Sequence, residues 1–493
     1  MKLRIQDIFK CLFLAYLAIL PVADTIALRN LFLFLLLVIL FGWLLRTGRH
    51  TLAGTSWRQW LPIPLVIWAL YLVLFPLWAP EHDVAWTNLR GQWGLSLASW
   101  CIGIGAALML RERGPGLWAL SLASAFLVGL HLLQVLLAWS GLFGPNVPGD
   151  LPLSKMWHSM RAVLEGQVDW HWQSFPWGFR GFDPMHGNLG YTASQAIALL
   201  LAWAAFAVSQ RNVTETWRTV LAVIVCFFSI AVANSRGAVL YSAGLIVLAG
   251  GLYFWIRRRA VVAGQGASFS SKAIPALLVL FVTVLTLALG QSLRKDTRWH
   301  TMVDKARAGF LVEEPVDFLC NGLTPEDQRA LEVRIAPHDL AYAYGIVQGL
   351  NGDGGRVVLM RASLGLVWEH PLGLDGSRHS FKKLMELRCG HKPFFEFAHT
   401  HQAWIDTALA LGWGGVLVLA TLFAHFAFVG ARSLGGDSTR FWGCALFLLA
   451  IFWSLRGLAD SVYREHNLQM QALLLGYLWG RLQLEMRPSV KRK

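Results

Sequence analysis

The chain has 493 residues, 55% of them hydrophobic and 15% charged, with a mean hydropathy of +0.48. Soluble domains carry about 25% charged residues, so this composition excludes an ordinary soluble protein and indicates an all-α integral membrane protein. The net charge of +14 does not indicate nucleic acid, because Lys and Arg fall in short clusters between apolar runs and not in one basic domain.

The first apolar run, Leu12 to Leu20, ends in Pro21-Val22-Ala23-Asp24. It lacks a small-residue cleavage pattern, so a first span is expected there and not a signal peptide. About twelve runs approach the roughly 20 apolar residues that a transmembrane helix needs. They lie near 8–24, 27–45, 61–79, 93–110, 116–141, 187–209, 217–234, 237–256, 273–292, 401–430, 440–455 and 467–484. Three parts follow: helices one to nine in 1–292 with an exterior loop near 142–186, a loop subdomain in 293–400, and helices ten to twelve with a basic tail in 401–493.

Alternate short loops carry the basic residues: Arg46/Arg49/Arg58, Arg111/Arg113, Arg211/Arg218, Arg257 to Arg259 with Lys272, Arg432/Arg440 and the tail from Arg481. The positive-inside rule places these loops and both termini in the cytoplasm. The segments 141–186 and 294–398 then fall outside. The second holds balanced charge, amphipathic stretches and enough Leu, Val, Phe and Trp to order itself, so a mainly helical layer over the membrane face is expected. Cys320 and Cys389 lie in it, on the oxidising side; whether they are bonded is not readable from their spacing.

This topology sorts the unusual polar residues. His399 and His401 stand where the long polar segment meets the tenth apolar run. Histidine titrates nearest neutrality, and an ionisable residue at a membrane edge is a functional candidate. Arg236 sits in Asn234-Ser235-Arg236-Gly237, a tight exterior turn where orientation needs no positive charge. Arg361 lies on an amphipathic stretch that ends at Trp368-Glu369-His370-Pro371-Leu372-Gly373, and Arg180 lies in Gly178-Phe179-Arg180-Gly181 before the sixth span. Asp460, Arg464, Glu465 and His466 cluster before the last span, as expected of a helix cap or a local ion-pair network. Arginines suit phosphate oxygens, and a neutral imidazole can accept a hydroxyl proton. No Asp-rich motif, nucleotide loop, nucleophile elbow or zinc-spaced Cys pair stands out. No metal or cofactor is therefore expected.

His401-Gln402 followed by Gly412-Trp413-Gly414-Gly415 resembles the signature of the O-antigen ligase family. So do Ser235-Arg236-Gly237, the segment from Arg361 through Pro371-Leu372-Gly373, the span number and the large loop before the His motif. The wider superfamily includes O-antigen polymerases and protein O-oligosaccharyltransferases. The resemblance implies metal-independent glycosyl transfer at the periplasmic face of a Gram-negative inner membrane. The donor would be an undecaprenyl-diphosphate-linked glycan and the acceptor a sugar hydroxyl of lipid A-core. His401 would be the general base, His399 an assistant, and Arg236, Arg361 and Arg180 the diphosphate contacts. The positive end of the helix dipole at His401 would keep its imidazole neutral. The Gly residues after His401 would let a neighbouring helix pack closely. A lipid-linked glycan transporter is the reading from another class, but the two halves of the chain show no repeat.

Overall fold

A computed structural model describes residues 4–48, 57–145, 147, 149, 151–181, 187–210, 212–262, 283, 286, 290, 294, 300–352, 354–436, 439–463 and 465–486. Among these residues the protein is all-helical, without a β-strand. The first part contains α1 (Ile5–Ile19), α2 (Ile26–Trp43), α3 (Ile63–Leu74), α4 (Gly94–Leu110), α5 (Leu117–Ser124) and α6 (Phe126–Trp139). Then come α7 (Leu153–Leu164) in the segment after α6, α8 (Gly187–Ser209), α9 (Val213–Val232) and α10 (Arg236–Val262). The polar segment folds as α11 (Met302–Leu311), α12 (Pro315–Asn321), α13 (Pro325–Ile335), α14 (Leu340–Gln348), α15 (Gly355–Glu369) and α16 (Ser380–Cys389). The chain closes with α17 (Ala403–Arg432), α18 (Arg440–Arg456) and α19 (Glu465–Glu485).

Among the described residues, six stretches are long and apolar enough to cross a membrane: Ile26–Arg46, His82–Arg113, Gly187–Ala207, Val213–Val232, Arg236–Trp255 and Ala403–Gly435. The pair α5 and α6, bent by 47°, makes a seventh if taken as one span. The other expected spans coincide with helices that are shorter (α1, α3, α18) or more polar (α19). The expected span 273–292 and Arg464 lie outside the described residues, apart from single helical positions within the former. On α2, Leu31, Phe34, Val38 and Phe41 are each more than half exposed. Apolar surface left in water costs roughly 25 cal/mol per Å², so this face is built for lipid and the protein is a membrane protein.

The centre of the bundle is α19, buried from Asn467 to Leu482. Gly476 and Gly480, one turn apart, set its backbone against Trp100, Ile104 and Ala107 of α4. Gly103 of α4 answers against Leu473 and Tyr477, where a Cβ would come within 2.8 Å of the Tyr477 nitrogen. Small residues at such a seam let two membrane helices approach closely. Because α19 faces protein all round, it accommodates polar groups that lipid would not. Tyr16 Oη donates to Gln469 Oε1 at 3.2 Å, and Gln471 Nε2 donates to the Val462 carbonyl at 3.0 Å.

The polar segment has its own core, with Phe318, Leu331, Ile346, Leu359, Leu366 and Phe381 packed on Ile405 and Leu409 of α17. Cys320 and Cys389 are joined by a disulfide, with Cα atoms 5.4 Å apart; this settles the pairing that spacing left open. The segment also enters α17. At Gly412 the helix breaks, with φ 75° and ψ 178°. The Pro371-Leu372-Gly373 turn fills the break. Trp413 N donates to the Pro371 carbonyl (3.0 Å), Leu374 N to the Leu409 carbonyl (3.0 Å) and Gly376 N to the Ala410 carbonyl (2.9 Å). Beyond the break, Gly414 and Gly415 make room for the ring of Tyr71, whose hydroxyl donates to the Leu411 carbonyl at 2.6 Å. The expected close packing at these glycines is therefore with a turn and a tyrosine, α3 bringing the latter.

A side chain at Gly412 would meet Leu372 C at 2.5 Å and the Pro371 carbonyl oxygen at 2.6 Å, in a backbone region that only glycine adopts readily. We predict that Gly412→Val destabilises the protein by at least about 1–3 kcal/mol, read as a lowered thermal midpoint in detergent. Gly365→Ala, on α15 with no atom near its added methyl, leaves the midpoint unchanged or raises it. Thiol titration of the unfolded chain should find the free Cys11, Cys101, Cys226 and Cys444 without reductant, and Cys320 and Cys389 only after reduction.

Candidate functional site

The turn before α17 is held from several sides. Thr400, fully buried, donates its backbone N–H to Asp406 Oδ1 (2.9 Å), and its hydroxyl accepts from Gln402 N (3.1 Å). Ser461 Oγ donates to the other Asp406 oxygen. Ala403 N donates to the carbonyls of Gly457 (2.8 Å) and Asp460 (3.0 Å). Within this frame His401 adopts φ +58°, a left-handed conformation that costs a non-glycine residue on the order of 1–3 kcal/mol. Its ring lies 4.4 Å from that of His399 and 6.5 Å from that of Phe397, centroid to centroid. Both histidines are half-buried.

Against this turn stands the end of α18. Arg456 is buried, its guanidinium 4.9 Å from the ring centroids of Tyr191 (α8) and Tyr241 (α10). Cation–π contacts of this kind strengthen where water is excluded. Arg456 Nη2 pairs with Asp460 Oδ2 at 3.0 Å. Gly237 lies over the same guanidinium, and a Cβ there would sit 2.5 Å from Arg456 Nη1. The Ser235-Arg236-Gly237 turn is thereby wedged between α8, where Ser235 packs on Gly190, and α18. Arg356, at the start of α15, donates from Nη1 to the Ala459 carbonyl at 3.3 Å.

Burial alone would raise the pKa of Asp460. The charges of Arg456, Arg356 and His401 and a hydrogen bond from Tyr191 reverse this and hold the carboxyl below its ordinary value. One carboxylate thus serves two arginines and faces a histidine, with Arg236 beside them in sequence to Gly237.

The expected site residues separate. His399, His401 and the Arg236 turn come together around Gly457 to Ser461. Arg180 is placed by the Gly178–Gly181 loop, where Gly178 N donates to the Val232 carbonyl at the end of α9 (2.8 Å) and His131 Nε2 pairs with the Phe179 carbonyl (2.9 Å). That loop abuts Asn234, next to the Arg236 turn. Arg361 faces elsewhere: its Nη1 donates to the carbonyls of Gly309 (3.1 Å), Phe310 (3.1 Å) and Val312, closing the end of α11. Arg356 and Arg361 are five residues apart, about 140° round a helix, so one faces the histidine turn and the other the polar layer. Sequence reasoning singled out Arg361 and passed over Arg356 and Arg456. The signals were a Gly-Gly-Arg helix start at Gly354-Gly355-Arg356 and an arginine closing an apolar run at Arg456-Gly457. Asp460 is the ion-pair partner that its cluster suggested.

Removing one partner of a buried ion pair costs about 3–5 kcal/mol because the other charge is left bare. Asp460→Asn is therefore expected to lower the thermal midpoint strongly at neutral pH. The sign of the pH dependence follows from the depressed pKa. The contribution is full above the ordinary carboxylate value near about pH 4 and fades as pH falls through the lower folded value. The stability difference between Asp460→Asn and the parent protein should therefore shrink only below about pH 4, which midpoints measured across an acid series check.

No protein-family model matches the chain, and no curated protein matches it significantly in sequence.

Proposed function

We propose that this protein is a polytopic glycosyltransferase of the O-antigen ligase type, with about twelve spans, both termini in the cytoplasm and its site at the periplasmic face of the inner membrane. The observation that carries the reading is the convergence of two half-buried histidines with an arginine-rich junction at one end of the bundle. The orientation has support from charge and from sulfur. Arg440 opens α18 and Arg481 lies near the end of α19, at the end of the bundle opposite Arg456. The disulfide in the polar layer suits an oxidising compartment.

In this reading the diphosphate of an undecaprenyl-linked glycan lies against Arg236, Arg356 and Arg180. Arg361 acts indirectly, by fixing α11 under α15. His401 takes the proton of an acceptor sugar hydroxyl on lipid A-core. The hydroxyl oxygen forms the new bond to the anomeric carbon from the face opposite the diphosphate. The bond from that carbon to the diphosphate oxygen breaks, and the lipid diphosphate leaves with the electron pair, its charge offset by the arginines. One displacement inverts the configuration. His399, in ring contact with His401, orients the acceptor.

The test is transfer by the reconstituted protein from lipid-linked glycan to lipid A-core. His401→Ala is expected to lose on the order of 10²–10⁴ in rate, and Arg236→Ala and Arg356→Ala to lose transfer without loss of stability. Arg361→Ala loses stability and transfer together. EDTA leaves transfer unchanged. Full activity of His401→Ala ends the general-base assignment. Extension of the lipid-linked glycan itself would make the protein a polymerase, transfer to a polypeptide a protein O-oligosaccharyltransferase, and movement of glycan across vesicles without product a transporter.

A further inference from the structure

The segment between α6 and α8 has a surface that neither the bundle core nor the histidine site uses. At about 100° per residue, Met156, Met160 and Val163 of α7 fall within about 60° of one another. Met156 and Met160 pack on Val135, Ala138, Phe179 and Val232, and Val163 is buried. Roughly a quarter turn round, Trp157 and Leu164 form a second apolar flank, 60% and 69% exposed. Lys155, His158 and Arg161 occupy the remaining, exposed circumference, where Arg161 pairs with Glu165. Such a helix has three surfaces: one for protein, one apolar and bare, and one polar and charged.

The stretch after α7 repeats the pattern. Trp170 and Trp172 expose their rings, yet their positions are fixed. Trp170 Nε1 donates to the Ser140 carbonyl (2.7 Å), Gln173 N donates to the Trp139 carbonyl (3.0 Å), and the rings of Trp139 and Trp172 lie 5.6 Å apart. Ser140 closes α6, the second half of the bent apolar pair. The exposed indoles therefore sit level with the end of a membrane-length helix pair, which is the depth of the headgroups. An indole with a satisfied N–H and a bare ring is a group that this depth favours.

We propose that 153–172 is an interfacial element: α7 lies along the membrane surface with its Trp157/Leu164 flank among the phospholipid headgroups, Trp170 and Trp172 beside it, and its Lys155, His158 and Arg161 face toward phosphate and water. The partner is the headgroup layer of the membrane that holds the bundle. The element fixes the depth of the Gly178–Gly181 loop that follows it, and with it Arg180. This inference rests on the membrane character of the protein and not on the proposed transfer reaction.

The test uses the full chain in vesicles of phosphatidylethanolamine and phosphatidylglycerol, with the exposed Cys11 and Cys101 replaced by Ser. A nitroxide is placed at Leu164→Cys or Trp172→Cys. Leu387→Cys on α16 serves as the water reference and Phe34→Cys on α2 as the lipid reference, both exposed. Collision with oxygen and with a water-soluble nickel chelate is then measured. Labels at 164 and 172 should fall between the references, with the chelate collision rate well below that at 387. Chelate access equal to that at 387 overturns the proposal, because the flank then faces water. Low access to both quenchers overturns it too, because the flank is then covered by protein, a second copy included. Trp172→Cys keeps the test decisive if the α7 variant fails to insert.

Discussion

The structure depends on a charge that has been taken out of water at a place where helix ends meet. Removing an arginine from solvent costs several kcal/mol after all relaxation, and Arg456 recovers this from contacts with several elements. Tyr191 brings α8, Gly237 and Tyr241 bring the first turns of α10, and Asp460 brings the link to α19. None of these groups is optional for the others. A longer side chain at 237 would push the guanidinium out, and without Asp460 the charge would stand uncompensated. The same link carries the Gly457 and Asp460 carbonyls that receive Ala403 N, so the start of α17 inherits its position from the ion pair.

A second constraint fixes α17 from the other side. A transmembrane helix cannot leave carbonyls bare in hydrocarbon, so a break such as that at Gly412 survives only where other groups satisfy the backbone. The Pro371-Leu372-Gly373 turn and Tyr71 supply them. The first turns of α17, from Ala403 to Leu411, are therefore clamped at both ends: at the start by the α18–α19 link and at the break by the polar layer. His401 precedes a short rigid rod, not a free helix. This explains how its left-handed backbone is sustained, since strain of this kind persists only where the surroundings over-determine it.

Apolar runs made the helices legible in the sequence. The polar segment was readable as a helical layer because its Leu, Val and Phe content exceeds what a solvated loop needs. His401 and Arg236 were readable as charges without a topological reason. What the sequence hid was direction. Arg356 and Arg361 lie on one helix, and composition gives both the same standing; only the packing of α15 on α11 decides which carbonyls receive which guanidinium. Arg456 was hidden for another reason. It closes an apolar run, where arginine ordinarily reaches out to headgroups, and its burial becomes visible only once Tyr191 and Tyr241, from far earlier in the chain, close over it. The Gly412 break was hidden because a glycine inside an apolar helix more often marks close packing than interruption.

The two ends of α18 show what separates a locally held charge from a structural one. Arg440, at its start, donates from Nε to the Leu434 carbonyl at 3.1 Å, a local contact within its own loop. Arg456, at its end, is locked between aromatic rings and a carboxylate. Asp460 reaches beyond this pair, because Arg356 and His401 also lower its pKa. Asp406, in the first turn of α17, accepts from Thr400 N and Ser461 Oγ, so two carboxylates tie the start of α17 to the α18–α19 link. A charge with one contact in its own loop can shift with little loss, whereas one buried against rings and a carboxylate cannot shift without loosening every element that meets there.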